Sequence, residues 1–242
     1  MNIPDHWRFF GFKVYYRLCD KQAKINIPLF TWKTCLTNFI THYGTKDLHI
    51  ICDNCEDSTI EFVKSKVSPT SLEVTNLGNS PSFNYMIDRI LKECKDTDVV
   101  YLVESDYLHT PNIKYNILDG LNFGEYVTLY DHPDFYKNYS PNITVKNGTT
   151  KCVLNCGALS HWRSVPGTTM TFATHVLTLR DDYEKIIKHT KSSPPSDCEM
   201  FLEITRYKKL VSPIPSKSTH GAINCISKFV DWDTEIRNAH YQ

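Results

Sequence analysis

Residues 98–106 read DVVYLVESD, in which five consecutive apolar residues are followed by two carboxylates one residue apart. The apolar run predicts a fully buried strand of a parallel sheet. Open α/β sheets bind their ligands at the carboxyl ends of strands, where Glu104 and Asp106 fall. Because neighbouring carboxylates repel each other unless a cation lies between them, the pair indicates a site for Mg²⁺ or Mn²⁺. An ordinary strand end with two solvated acids is the alternative.

Strands and helices alternate on the N-terminal side of this stretch. A helix opened by Ser80 as N-cap and Pro81 as first helical residue has the clearest amphipathic pattern. The other predicted elements are strands at 12–18, 48–52 and 72–75 and helices at about 28–43 and 57–67. This alternation predicts a βαβαβαβ unit over about 12–106, with a parallel sheet and right-handed crossovers.

After Asp106 the pattern changes to short strands and long loops. Strands are predicted at 125–130, 151–154, 158–163, 168–174 and 210–211, and helices at about 179–190 and 196–208. No Gly/Ser-rich linker or internal repeat divides the chain. We therefore expect one α/β domain over 1–242, with a first half to about residue 110 and a mixed-sheet second half from about 111.

Composition excludes several function classes. Lys+Arg and Asp+Glu both total 27, which argues against a nucleic-acid groove. No run of 18 apolar residues is present, so no membrane span is expected. Nine scattered cysteines predict reduced thiols and a cytoplasmic location, and Cys52-x-x-Cys55 is better explained by core and loop positions than by half a zinc site. Without a Gly-x-Gly-x-x-Gly or P-loop motif, a phosphate-bearing ligand would have to be held by metal.

Three later clusters could carry chemistry, and each has a simpler alternative. Residues 130–136, YDHPDFY, combine aromatic rings and acids, which is typical of a sugar-binding surface or of a locally packed loop. Asp197 and Glu199 begin a helix after Ser196, where acids serve either as a general base or as favourable charges at the helix dipole. His220 beside Gly221 could bind a metal through a neutral imidazole, or be an exposed loop histidine.

Together these motifs resemble the GT-A fold of nucleotide-sugar-dependent glycosyltransferases, a Rossmann-like architecture, over most of the chain. Glu104-Ser105-Asp106 is similar to that fold's Asp-x-Asp motif, with Glu in the first place. Asp197-x-Glu199 is similar to its acidic base motif, and His220 to its late metal-binding His. Segments 131–134, 161–163, 168–172 and 218–221 resemble a compact branch found in bacteria and large DNA viruses, including algal viruses.

The resemblance implies a role for each matching residue. Asp106 and His220 would hold Mn²⁺ or Mg²⁺, with Glu104 binding through water or supporting the site. Asp197, ahead of Glu199, would be the catalytic base. The resemblance also implies a nucleotide-sugar donor, with UDP favoured over GDP. The residues implied to contact this donor are Tyr16, Arg17, Asp53, Asn79, Asn84 and Ser105. Those implied to contact a glycan acceptor are Asp131, His132, Asp134, Tyr136, Trp162 and Thr169.

The resulting expectation is a metal-dependent glycosyltransferase of hexosyltransferase type that acts with inversion. A sugar-nucleotide pyrophosphorylase would need a Gly-rich, Arg-containing loop after the first strand, which residues 17–22 lack. A metal-dependent phosphohydrolase using Glu104, Asp106 and His220 remains open. So does a non-catalytic module that binds a nucleotide or a glycan.

Overall fold

The computed structural model describes residues 4, 7, 11–21, 27–136, 152–192 and 194–241. A large mixed sheet runs through both halves of the chain. The strands are β1 (Phe12–Leu18), β2 (Leu48–Asp53), β3 (Leu72–Thr75), β4 (Val99–Glu104), β5 (Tyr107–His109), β6 (Tyr126–Val127), β7 (Leu154–Cys156), β8 (His161–Val165), β9 (Phe172–His175), β10 (Leu210–Ile214) and β11 (Ser218–His220). Within the described residues, nine strands pair in the order β3-β2-β1-β4-β9-β6-β10-β8-β7.

The first four strands of the chain form the parallel part of the sheet. β1 lies between β2 and β4, and β3 pairs with the outer side of β2. β9 continues the sheet beyond β4 in the antiparallel direction, so the second half is mixed. The predicted parallel βαβαβαβ unit and mixed second half are both confirmed. The strand ends of β1, β2 and β4 therefore meet at one edge of the sheet.

Helices cover both faces of this sheet. They are α1 (Trp32–Tyr43), α2 (Asp57–Lys66), α3 (Asn79–Glu93), α4 (Ile113–Gly120), α5 (Val176–Asp181), α6 (Tyr183–His189), α7 (Asp197–Ile204) and α8 (Trp232–His240). Alternate residues of β4 point to opposite faces, as a strand requires. Tyr101 and Val103 join the core under α1, whereas Val100 and Leu102 join the core under α3. Among the described residues, no helix has the length and apolar character needed to cross a membrane.

Some predicted helix boundaries were wrong. α1 begins at Trp32 and not at about residue 28, because Leu29 has a positive φ of 64° and Thr31 caps the helix by accepting a hydrogen bond from Thr34 N. α3 begins at Asn79 with Gly78 as the N-cap, so Ser80 is not the cap. The Ser80 hydroxyl instead donates to the backbone oxygen of Ser192.

The second half departs further from the prediction. The helix expected over 179–190 is two helices, because the buried Asp182 interrupts it and accepts a hydrogen bond from Tyr126 OH at 2.9 Å. The helix expected over 196–208 ends at Ile204. The short strands occupy shifted positions, and residue 151 of the strand expected at 151–154 lies outside the described residues. No prediction was made for α4, α8 or the two-stranded β5–β11 sheet.

Burial of α3 against the sheet gives a test of the fold. Ile87 is fully buried, so Ile87→Ala should lower the free energy of unfolding by about 2–5 kcal/mol through lost apolar contact and a residual cavity. Leu177→Ala is the control, because Leu177 is half exposed and its truncation should change stability by less than about 0.5 kcal/mol. Urea denaturation measures both. Equal effects would contradict the placement of α3.

Candidate functional site

A pair formed by Asp106 and His220 lies at the edge of the sheet beyond β4. β11 pairs antiparallel with β5 and sets His220 opposite Tyr107, the residue after Asp106. The His220 Nε2 atom is 3.0 Å from Asp106 Oδ2, and the Gly221 amide donates to the Asp106 backbone oxygen at 2.8 Å. The two-stranded sheet of β5 and β11 therefore holds the imidazole of His220 against the carboxylate of Asp106.

The environment of His220 favours its protonated form. Burial alone lowers the pKa of His220, but hydrogen bonds to Asp106 and the Cys225 side chain outweigh it and raise the pKa to about 10. The rings of Tyr107 and Tyr130 pack against the imidazole, with centroid distances of 5.1 and 6.5 Å. In the protein without bound metal, His220 is therefore a cation at neutral pH.

Glu104 faces a different cation. Its Oε1 atom is 2.6 Å from Arg17 Nη2, and Arg17 comes from the adjacent β1. Arg17 Nη1 also donates to the backbone and side-chain oxygens of Asn79, both at 2.7 Å, and to Ser82 Oγ at 3.1 Å. Burial raises the pKa of Glu104, Arg17 opposes that rise and Asp106 adds to it. Arg17 thus ties the ends of β1 and β4 to the start of α3.

Asp106 keeps one oxygen without a partner. Its Oδ1 atom is buried and has no hydrogen-bond partner among the described residues. A buried carboxylate oxygen is a ligand that divalent cations such as Mg²⁺ and Mn²⁺ prefer, and a neutral imidazole beside it can bind a transition metal. In the described part of the chain, no group of three or more His, Cys, Asp or Glu side chains is arranged to hold a metal ion. A metal ion held by Asp106 and His220 would therefore have to take its further ligands from water or from a bound phosphate.

The two acids that begin α7 lie in different surroundings. Asp197 is close enough to Glu104 and His220 for their charges to interact, and burial raises the pKa of Asp197. Its Oδ1 atom accepts a hydrogen bond from Cys198 N at 2.7 Å. Glu199 is 73% exposed, and one of its carboxylate oxygens lies 4.0 Å from His189 Nδ1. The charge of Asp197 therefore interacts with that of His220, whereas the side chain of Glu199 is exposed.

Some of the residues predicted to contact the donor lie at the candidate site, and others are packing residues that support it. Ser105 lies between the two acids and its hydroxyl accepts from Cys19 N at 3.4 Å. Asn79 is held by Arg17, and Asn84 Oδ1 accepts from Thr190 Oγ1 at 2.5 Å. Tyr16 is fully buried in the core under α1. Its contacts are those of a packing residue.

Asp53 holds the loop between β3 and α3. Its Oδ1 atom accepts from Leu77 N at 2.7 Å and Thr75 Oγ1 at 2.9 Å, and its Oδ2 atom accepts from Gly78 N at 3.0 Å and Asn54 Nδ2 at 2.9 Å. Both carboxylate oxygens are therefore in use. The side chain positions the loop that leads to Asn79.

The predicted acceptor cluster surrounds a buried ion pair. Asp131 is buried and pairs with Arg163, and it also accepts a hydrogen bond from Tyr136 OH. The Arg163 guanidinium lies over the Tyr136 ring at 4.9 Å from its centroid. His132 Nδ1 accepts from Asp134 N at 3.1 Å in the turn Pro133–Tyr136. Of this group, His132, Asp134 and Tyr136 have side chains that are partly exposed.

Trp162 and Thr169 also make contacts inside the protein. Trp162 is fully buried, and its indole N–H donates to Asp119 Oδ2 at 2.8 Å. The carboxylate of Asp119 also accepts from the amides of Ala158 and Leu159. Thr169 Oγ1 accepts from Tyr107 OH at 2.7 Å, which links it to the ring beside His220.

Several residues at the site carried no sequence prediction. Cys225 contacts His220, Thr171 Oγ1 accepts from Glu104 N at 3.1 Å, and Ser82 binds Arg17. Their residue types are common and follow no motif. Thr171 lies in the segment 168–172 that carries part of the family resemblance, but its hydrogen-bond partner depends on how β9 pairs with β4.

Comparison with known proteins gives similarity in structure and none in sequence. No protein-family model matches the chain, and no curated protein matches it in sequence. A candidate nucleotide-diphospho-sugar transferase from Desulfovibrio desulfuricans G20 superimposes with a TM-score of 0.51 at 9% identity, over 84% of this chain and 80% of that one.

Two further solved structures are similar at lower scores. Residues 1–349 of S. aureus TarS give a TM-score of 0.45 at 15% identity, over 84% of this chain and 58% of that one. The galactosyltransferase LgtC, in complex with donor and acceptor sugar analogues, gives 0.47 at 10% identity, over 83% and 72%. This chain thus spans little more than half of the TarS fragment. The chain has a GT-A-type α/β fold; identities this low show the fold and not the activity.

The charge state of His220 can be tested in the metal-free protein. We expect its imidazole to titrate near pH 10, and Asp106→Asn should move that pKa towards the ordinary value of 6.5. Because the folded-state pKa is the higher one, protonated His220 adds stability that is fully present below pH 6.5 and is lost as pH rises towards about 10. NMR titration of the His220 imidazole in the presence of a chelator measures this pKa. A wild-type pKa near 6.5 would contradict the pairing.

Proposed function

We propose that this protein is a metal-dependent glycosyltransferase, which moves a sugar from a UDP-sugar donor to a hydroxyl of a glycan acceptor with inversion. The observation that carries the proposal is the Asp106 carboxylate, of which one oxygen lies on His220 and the other is buried without a hydrogen-bond partner among the described residues. This carboxylate lies at the carboxyl edge of β4 in a GT-A-type sheet, where ligands of such sheets bind. Asp197 adds a second acid whose charge interacts with that of His220.

Mn²⁺ or Mg²⁺ would be held by Asp106 and His220, with Glu104 supporting the site from its ion pair with Arg17. One carboxylate and an imidazole would leave coordination positions for water and donor phosphate, which Mg²⁺ sites also use. When bound, the ion would act as a Lewis acid that neutralises charge on the leaving nucleoside diphosphate. Since imidazolium cannot bind a metal, His220 must release its proton, and metal affinity should increase with pH.

Asp197 is the proposed general base. Its raised pKa makes its carboxylate a better proton acceptor than an ordinary aspartate, and the Cys198 amide holds one of its oxygens. Asp197 would take the proton of the acceptor hydroxyl as that oxygen attacks the anomeric carbon and the nucleoside diphosphate leaves. A single displacement inverts the configuration at that carbon.

The candidate binding residues fall into two groups: those proposed to contact a ligand directly, and those whose internal contacts position them. Ser105, Asn79 and Asn84 are proposed to contact the donor, while Tyr16, Arg17 and Asp53 keep their positions fixed. On the acceptor side, the partly exposed groups of His132, Asp134 and Tyr136 are proposed contacts. Asp131, Trp162 and Thr169 would support that surface through their internal hydrogen bonds.

Nucleotide binding tests the donor and the metal together. We expect UDP to bind with Mn²⁺ and much more weakly without it, and Asp106→Asn to reduce UDP affinity by about 10–100-fold because a metal ligand is lost. Asp96→Asn is the matched control, since Asp96 is half exposed and pairs with Arg180. Calorimetry of UDP and GDP measures both. If neither nucleotide binds with any divalent metal, the donor site is wrong.

The neighbouring acids of α7 provide a matched pair for the base. Asp197→Asn should lower sugar transfer by about 10²–10⁴-fold while leaving Mn²⁺-dependent UDP binding intact, because only proton transfer is lost. Glu199→Gln should transfer at nearly the wild-type rate, since Glu199 is exposed. A panel of UDP-sugars and glycan acceptors, followed by UDP release, gives the readout.

Three outcomes of that panel would contradict the proposal. Phosphoester cleavage that needs no acceptor would indicate a phosphohydrolase. Nucleotide or glycan binding without transfer by the wild type would indicate a binding module. Unchanged transfer by Asp197→Asn would remove Asp197 as the base.

A further inference from the structure

Two cysteines flank the corner that ends β2. The Cys52 side chain is fully buried at the end of the strand, and Cys55 is partly exposed three residues later. Asn54, between them, has a positive φ of 55°, so the backbone turns at this point. The Cys55 Sγ atom donates to Leu18 O at 3.4 Å, and Leu18 is the residue of β1 that pairs with Cys52 of β2. The turn therefore brings two thiols together next to the end of β1.

We propose that Cys52 and Cys55 form a reversible oxidation site, which a peroxide converts into an intrachain disulfide. Because the Cys55 thiol lies against the residue that pairs with Cys52, a side-chain rotation together with a small shift of the turn would bring the sulfurs to bonding distance, which is about 2.05 Å. Among the described residues, no set of three or more possible ligands competes by holding a metal here. Both cysteines are free thiols in the structure.

The chemistry assigns a different part to each thiol. Cys55 is the accessible one, and the hydrogen bond from Cys52 lowers the pKa of Cys55, which favours its thiolate. The thiolate attacks one peroxide oxygen, the O–O bond breaks and hydroxide leaves, giving a sulfenic acid on Cys55. The Cys52 sulfur then attacks Cys55 Sγ, the S–S bond forms, and the S–O oxygen leaves as water with the proton of Cys52. Two thiols and one hydrogen peroxide thus give one disulfide and two waters.

Asp53 connects this pair to the candidate site. It lies between the two cysteines and accepts hydrogen bonds from Leu77 N and Gly78 N, just ahead of α3. Asn79, the first residue of α3, binds Arg17, which in turn pairs with Glu104. Closing the disulfide must draw Cys55 away from Leu18 O and alter the backbone at Asp53. The amides of Leu77 and Gly78 should therefore exchange faster with solvent in the oxidised protein.

The nearest competing thiol is Cys19. Its charge interacts with that of Cys55, but burial raises the pKa of Cys19, which disfavours its thiolate. Tryptic digestion separates the two possibilities, because Cys52 and Cys55 share the peptide 47–64, whereas Cys19 falls in the peptide 18–21. A bond between Cys52 and Cys55 removes two hydrogens from a single peptide. A bond to Cys19 joins two peptides.

The test is oxidation of the full-length protein with hydrogen peroxide, followed by alkylation, digestion and mass spectrometry. We expect peptide 47–64 to lose two hydrogens and resist alkylation, and dithiothreitol to restore both thiols. Cys19→Ser should behave like the wild type, and Cys55→Ser should lose the modification. Alkylation of both cysteines after oxidation, or a link between 18–21 and 47–64, would overturn the site.

Hydrogen exchange of the oxidised and reduced protein tests the connection to α3. Faster exchange at Leu77 and Gly78 on oxidation, with no change in Cys55→Ser, would support it. Unchanged exchange in an oxidised wild-type protein would overturn that connection. Neither experiment uses a nucleotide or a sugar, so its result does not depend on the proposed transferase activity.

Discussion

The contact between Arg17 and Glu104 links the parts of the site more than any other interaction. One guanidinium, nearly buried on β1, binds the last residue of β4, the first residue of α3 and Ser82 in the same helix. Burial and the nearby Asp106 both raise the pKa of Glu104, and Arg17 opposes them. Loss of the guanidinium would leave an acid partly buried without its cation and would release the start of α3. Structure and electrostatics at this edge therefore depend on one side chain.

Negative and positive charges also offset each other around Asp106. The charges of Asp106 and Asp197 both act on Glu104, and Arg17 and His220 supply the positive charge nearby. Carboxylates this close would otherwise take up protons. In our proposal a divalent cation takes over the part that protonated His220 plays in the metal-free protein. The Oδ1 atom of Asp106, which has no hydrogen-bond partner among the described residues, is the oxygen that such an ion would bind.

The first half of the chain was predictable because its signals are local. β1 and β3 have the predicted bounds, and α1 ends at Tyr43 as predicted. Periodicity and turn residues act over a few positions, so they are visible in sequence. Errors arose where a distant group changed a local preference. Ser80 donates to Ser192 instead of capping α3, and Asp182 divides a helix because it reaches Tyr126 in the core.

Sequence by itself determined the alternating strands and helices, the parallel order they imply, and the position of Glu104 and Asp106 at the end of a buried strand. Tertiary structure decided which of the candidate residues meet. His220 contacts Asp106 although 114 residues separate them in the chain, and Glu104 pairs with Arg17. Asp197 is partly buried whereas Glu199 is exposed, and Trp162 is buried against Asp119. The physical reason is that periodicity is set by neighbouring residues, whereas the partner of a side chain is set by strand register and helix packing between distant segments.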